Sequence, residues 1–157
     1  MSERLDFLVR RNKGKDYLNT YKQFFKGFNL KGLEYIELEE ADKIRYQIRR
    51  IFPSIKQENE IVSNDKLSNS KLISEASNRI DHNDYCFIFT DEVYNCGMFK
   101  CTTRSALDSC LNIAFLAYDN TCFLTDCNFK FHFTVNYEDA TSDEYFDTYE
   151  IQRKWKI

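Results

Sequence analysis

The clearest pattern in the chain lies at residues 129–137, where Phe129, Phe131, Phe133, Val135 and Tyr137 alternate with Lys130, His132, Thr134 and Asn136. A period of two predicts a long strand with one face in the core and the other turned to water or a partner. Upstream, Tyr85-Cys86-Phe87-Ile88-Phe89 is uniformly apolar and predicts a fully buried strand. The turn residues 91–97 and then Met98-Phe99-Lys100-Cys101 make the two runs a hairpin. Between hairpin and long strand, Ala106, Leu107, Cys110, Leu111, Ala114, Phe115 and Tyr118 recur at helical spacing, with Thr102 or Thr103 placed to cap. That helix is apolar around most of its circumference and is expected at the centre of the fold. Asp119-Asn120 ends it, Cys122-Phe123-Leu124 is a short strand, and Asp126-Cys127-Asn128 turns into the long one.

The N-terminal half reads as helices. Tyr17, Tyr21, Phe24, Phe25 and Phe28 predict an amphipathic helix over 16–28, with residues 10–15 as a basic turn before it and Gly32 closing it. Residues 33–38 alternate weakly, as a strand or the lead-in to the next helix. Over 39–52, Ile44, Ile48, Ile51 and Phe52 share one side, with Glu39, Glu40 and Asp42 at the start and Arg45, Arg49 and Arg50 near the end, matching the helix dipole; Pro53 stops it. Residues 54–69 are polar and aperiodic and predict a mobile loop, after which 70–80 resume a weak helical pattern. The expected architecture is α+β: a single domain over 1–157, with a helical part at 1–53, the loop at 54–69, and a mostly antiparallel sheet packed on a buried central helix at 70–157.

Composition supports one folded unit. The chain has 157 residues, 43% of them hydrophobic, with 14 Phe and 10 Tyr against 4 Gly and 1 Pro, which suits one ordinary core and argues against disorder. No apolar run is long enough to span a bilayer and the N-terminus lacks the layout of a signal peptide, so a cytoplasmic protein without membrane contact is expected. In that setting the six cysteines are expected as reduced, mostly buried thiols. Charge is unevenly spread. Residues 1–50 carry 12 Lys/Arg against 8 Asp/Glu, whereas residues 80–157 carry 6 against 13, so the C-terminal part should present a negative field unsuited to nucleic acid.

Catalytic and metal chemistry find little to stand on. Cys96, Cys101, Cys122 and Cys127 form two pairs that could supply four thiolates to zinc, but each pair has four intervening residues where structural knuckles more often have two. Buried free thiols are the better reading, and no metal or cofactor is expected. A cysteine nucleophile or a carboxylate pair would have to work near a histidine, and only His82 and His132 exist; a small enzyme built around His132 is the competing class. Glycine is too scarce for a phosphate-cradling loop. A homo-oligomeric scaffold, pairing through the exposed side of the long strand, is a third possibility.

The sharper feature is an acidic, aromatic stretch. Tyr137, Glu138, Asp139, Asp143, Glu144, Tyr145, Asp147, Tyr149 and Glu150 contain no basic residue among them, and Asp91 and Glu92 in the hairpin turn could extend the surface. A solvated, weakly helical ending is the plain reading. As a binding face, its rings would be the desolvated anchors and its carboxylates would attract a basic protein.

The run Thr121-Cys122-Phe123-Leu124-Thr125-Asp126-Cys127-Asn128-Phe129-Lys130-Phe131-His132-Phe133-Thr134-Val135-Asn136-Tyr137-Glu138-Asp139, set after an apolar helix, resembles the immunity proteins of bacterial contact-dependent growth inhibition and related polymorphic toxin systems. The likeness covers roughly residues 85–139. It implies a non-catalytic, stoichiometric inhibitor that occludes the toxin domain of a cognate effector in the cytosol. A basic nuclease domain is the partner expected for the acidic-aromatic face.

Overall fold

The computed structural model describes residues 2–55, 57–63, 66–81, 83–138 and 148–155. In chain order the elements are α1 (Glu3–Lys26), β1 (Glu34–Ile36), α2 (Leu38–Ile51), β2 (Gln57–Ser63), α3 (Lys66–Asn78), β3 (Tyr85–Phe89), α4 (Val93–Cys96), β4 (Met98–Thr102), α5 (Thr103–Leu116), β5 (Thr121–Asp126), β6 (Phe131–Glu138) and β7 (Thr148–Trp155). The class is α+β. Seven strands form one sheet in the order β1-β4-β3-β5-β6-β7-β2, with every neighbouring pair antiparallel. Among the described residues no helix is long and apolar enough to cross a membrane.

Alternation along the strands divides the core in two. Cys86, Ile88, Phe99, Cys101, Cys122, Leu124, Phe131, Phe133, Val135, Tyr137, Tyr149 and Ile151 point to one face, where they meet Leu107, Cys110, Ile113 and Ala114 of α5 and Phe25 of α1. Phe87, Phe89 and Met98 point to the other face and are covered by Ala41, Ile44, Ile48 and Phe52 from α2 and its end, and by Val93 of α4. α5 is not buried all round: Asp108, Asn112, Phe115 and Leu116 are exposed on its outer side.

Several elements depart from what the pattern predicts. α1 starts at Glu3, with the Ser2 hydroxyl accepting from the Leu5 amide, and runs straight through the expected basic turn. Arg10 explains why those residues are helical. From α1 its guanidinium donates twice to Asp42 on α2, at 2.6 and 3.0 Å, and also to the Tyr94 carbonyl of α4, at 2.6 and 2.9 Å. Gly14 is buried mid-helix, because a Cβ there would collide with the Asn95 carbonyl. Its role is close helix packing, not a turn, and α1 is capped by Gly27 rather than Gly32.

Residues 57–63, expected as part of a mobile loop, form β2 and pair with β7 over seven positions, from Gln57 with Lys154 to Ser63 with Thr148. Polar edge strands take their structure from the neighbour, a tertiary effect that overrides local propensity. β7 itself replaces the weakly helical ending. Tyr149, Ile151, Arg153 and Trp155 turn to the α5 side and Glu150, Gln152 and Lys154 away from it, an alternation masked in sequence by the surrounding charge. Phe129 was expected on the core face of the long strand. It has φ +57° in the turn before β6 and packs with Phe87 on the α2 side. The Asp126 carboxylate holds that turn by accepting from the amides of Asn128, Lys130 and Phe131 at 3.3, 2.5 and 2.9 Å. The Thr102 hydroxyl is not a helix cap; it bonds the Ser105 hydroxyl at 2.7 Å.

Candidate protein-binding face

Strand register gathers three connections at one end of the sheet. Phe89 pairs with Phe123, so Asp91, two residues beyond β3, comes level with the start of β5. Thr121 pairs with Asn136, so Glu138, at the end of β6, comes level with Asp119. Burial first, then the neighbouring Asp119 carboxyl, then the Glu92 charge hold the Asp91 carboxyl above its ordinary range. Behind them burial is the main reason the Tyr21 phenol of α1 is also raised, with the Thr90 side chain acting the other way.

Apolar surface flanks the carboxylates. At the end of α5, Phe115, Leu116 and Tyr118 are 47%, 60% and 85% exposed. Asn120, with φ +54°, donates its side-chain amide to the Phe115 carbonyl at 2.9 Å, closing the helix and fixing how its last turn is presented. The Phe115 ring meets Tyr137 edge-on at 4.8 Å, tying that presented turn to the sheet. Exposed rings and a leucine thus lie at the same end as the exposed carboxylates of Asp91, Asp119 and Glu138.

The expected contact residues divide into four groups. Asp91, Glu92 and Glu138 lie at this end. Tyr137 and Tyr149 do not face outward: they are 7% and 8% exposed, with their rings 5.1 Å apart on the α5 side of the sheet, so they support the face from behind instead of anchoring a partner. Glu150 projects from the opposite side of β7 and accepts from the Gln152 side chain at 2.5 Å. Asp139, Asp143, Glu144, Tyr145 and Asp147 lie outside the described residues, as does His82. Phe115, Leu116, Tyr118 and Asp119 were not foreseen as surface groups. The signal was available: consecutive apolar residues at 115–118 cannot all share the single helix face that meets the sheet.

The opposite side of the sheet carries concave surface. Beside α2 a groove of about 750 Å³ is lined by Ile36, Ile44, Tyr46, Phe87 and Phe129, with Lys43, Lys100 and Glu40 at its margin. A smaller pocket of about 220 Å³ lies nearer the acidic end and includes His132. His132 sits half-buried between Phe52 and Phe123, with Nδ1 2.6 Å from the Thr125 hydroxyl. Burial first, and Lys154 second, push its pKa down to about 4. A base that weak transfers protons poorly near neutrality.

The thiols are equally unsuited to nucleophilic work. Burial raises Cys96 to about 11 and Cys110 to about 12, and Cys86 and Cys122 are also pushed well up. Cys101 is held down by its hydrogen bond with Cys86, across the β3–β4 pair, but has no exposed surface. Among the described residues no three His, Cys, Asp or Glu side chains are grouped to hold a metal. β5 and β7 occupy both edges of β6, so a second copy cannot add to it as a neighbouring strand. No family model matches the chain, and no curated protein or solved structure matches it either.

Proposed function

We propose that this protein is a stoichiometric inhibitor of the immunity type, acting in the cytosol by covering a basic toxin domain with the end of its sheet. The observation that carries the reading is the convergence of Asp91, Glu92, Asp119 and Glu138 with exposed Phe115, Leu116 and Tyr118. Leu116 and Tyr118 supply contact area that is already partly immobilised by the helix end, so docking orders few new groups. The carboxylates set the charge of the partner. Crowding of Asp91, Asp119 and Glu92 is a repulsion that an incoming Lys or Arg relieves, which makes the cationic complex better than either free surface. Nuclease domains, which must hold phosphates, are the natural class of basic partner. Asp139, Asp143, Glu144, Tyr145 and Asp147, which follow Glu138 in sequence, join the proposal on charge and composition.

The test is co-expression with the toxin domain encoded immediately upstream. Wild-type chain should co-purify with it one-to-one and protect growth, and the Asp119→Lys, Glu138→Lys double variant should do neither while remaining folded by circular dichroism. Protection by the folded double variant at wild-type level would show that the face is elsewhere.

A further inference from the structure

The smaller pocket on the α2 side has a chemistry of its own. Its floor is a stack of near-parallel rings: Phe89 stacks on Phe123 with centroids 5.1 Å apart and planes 14° apart, and Phe123 continues to His132 at 6.2 Å and 14°. Phe123 is only half-buried, so the stack leaves ring surface accessible from the pocket. Its wall is α2, which places Arg45 and Arg49 one turn apart on the same side.

Cation outweighs anion on that wall. The carboxylate nearest Arg45 is Asp42, at 4.0 Å, and Arg10 already holds both oxygens of Asp42. Arg49 has no hydrogen-bond or ion-pair partner among the described residues. Arg45 is also half-buried, and burial together with its neighbour Arg49 lowers its pKa, as expected of a guanidinium short of compensating charge. Asp91, with Asp119 and Glu92 beyond it, borders the pocket from the sheet side, across from the two guanidiniums. Neutral His132 adds no charge near neutrality.

We propose that this pocket binds a small planar carboxylate of the benzoate or nicotinate class, ring packed against the accessible edge of the Phe89–Phe123 stack and carboxylate held between Arg45 and Arg49. Guanidinium forks match the two oxygens of a carboxylate, and the face of a ligand ring is well placed to receive ring edges in a T-shaped contact. The volume, about 220 Å³, favours one ring over a nucleotide or other drug-sized ligand. Nothing in the site requires the toxin-binding reading.

The experiment is a titration of the full ¹⁵N-labelled chain, followed by amide correlation spectra, with sodium benzoate, benzamide and inorganic phosphate in parallel. Benzoate should give saturable shifts centred on Ile48, Phe123 and His132, with millimolar affinity, and benzamide, equal in shape but uncharged, should be weaker by about tenfold. Phosphate should also be weaker, lacking a ring. Arg45→Gln with Arg49→Gln should weaken benzoate by about tenfold or more, and Phe123→Leu by a smaller factor. Absence of saturable shifts overturns the proposal, and so does equal binding of benzoate and benzamide or of benzoate and phosphate. Those comparisons on the wild-type chain decide the matter even if the arginine variant fails to fold.

Discussion

The two faces of the sheet are built on different terms. Against α5 and α1 the side chains of five strands interlock with helix residues, and Ile88, Cys101, Cys110, Ile113, Leu124 and Val135 have no exposed surface at all. Against α2 only part of the sheet is covered, rings meet water at Phe123, and polar residues such as His132, Thr134 and Asn136 complete the face. Close packing on one side leaves the other side, and the sheet end, free to carry charge, half-exposed rings and concavity. Under the proposed function, stability and recognition would thereby be separated in space.

Substitutions that remove the same ring from each face should expose this contrast most strongly. Phe133→Ala, fully inside the closed face, is expected to lower unfolding free energy by about 3–5 kcal/mol, and Phe123→Ala on the open face by about 1–2 kcal/mol, both read from urea melts. Equal losses would mean that the faces are packed alike.

His132 sharpens the comparison through pH. Its folded pKa, about 4, lies below the ordinary 6.5, so the unfolded chain takes up a proton first as pH falls. The stability it contributes is complete above pH 6.5, declines between 6.5 and about 4, and changes no further below that. The total is on the order of 3 kcal/mol. His132→Leu should remove that part of the acid slope in urea melts repeated across the interval; an unchanged slope would assign it to other groups.

The smallest effect is expected at the sheet end. Leu116→Ala and Tyr118→Ala remove exposed atoms and should change stability by no more than about 0.5 kcal/mol in the same melts, while loosening a toxin complex. A loss of several kcal/mol would make these residues structural.

What could be read from the sequence follows from which physical signals are local. β3, β4, α5 and β6 announce themselves because apolar periodicity is a property of a few consecutive residues, and α2 does so through both its isoleucine stripe and its charges. β2 does not. Its polar residues become a strand through seven pairings with β7, nearly a hundred residues away. Gly14 and Arg10 misled for the same reason: a glycine and a cluster of cations resemble a turn until α4 is seen to need the space and Asp42 and Tyr94 the guanidinium. At the candidate site the acidic character was visible in the sequence, and the strand register brings Asp91 and Glu138 to one end of the sheet. Tyr137 and Tyr149 were misplaced, because alternation tells which residues share a face but a search for anchors counted rings without applying it. Asp119 joined the group only through register.

The proposed electrostatic attraction between the sheet end and a basic domain would leave a direct kinetic trace. The decisive measurement is the association rate constant of the purified chain with the upstream-encoded toxin domain, followed by stopped flow over a range of salt concentrations. For wild type the rate should fall steeply as salt rises. The Asp119→Lys, Glu138→Lys variant should associate at least about tenfold more slowly at low salt and lose most of that salt dependence, with its thermal midpoint unchanged. Identical rates and identical salt dependence in the two proteins would contradict the account.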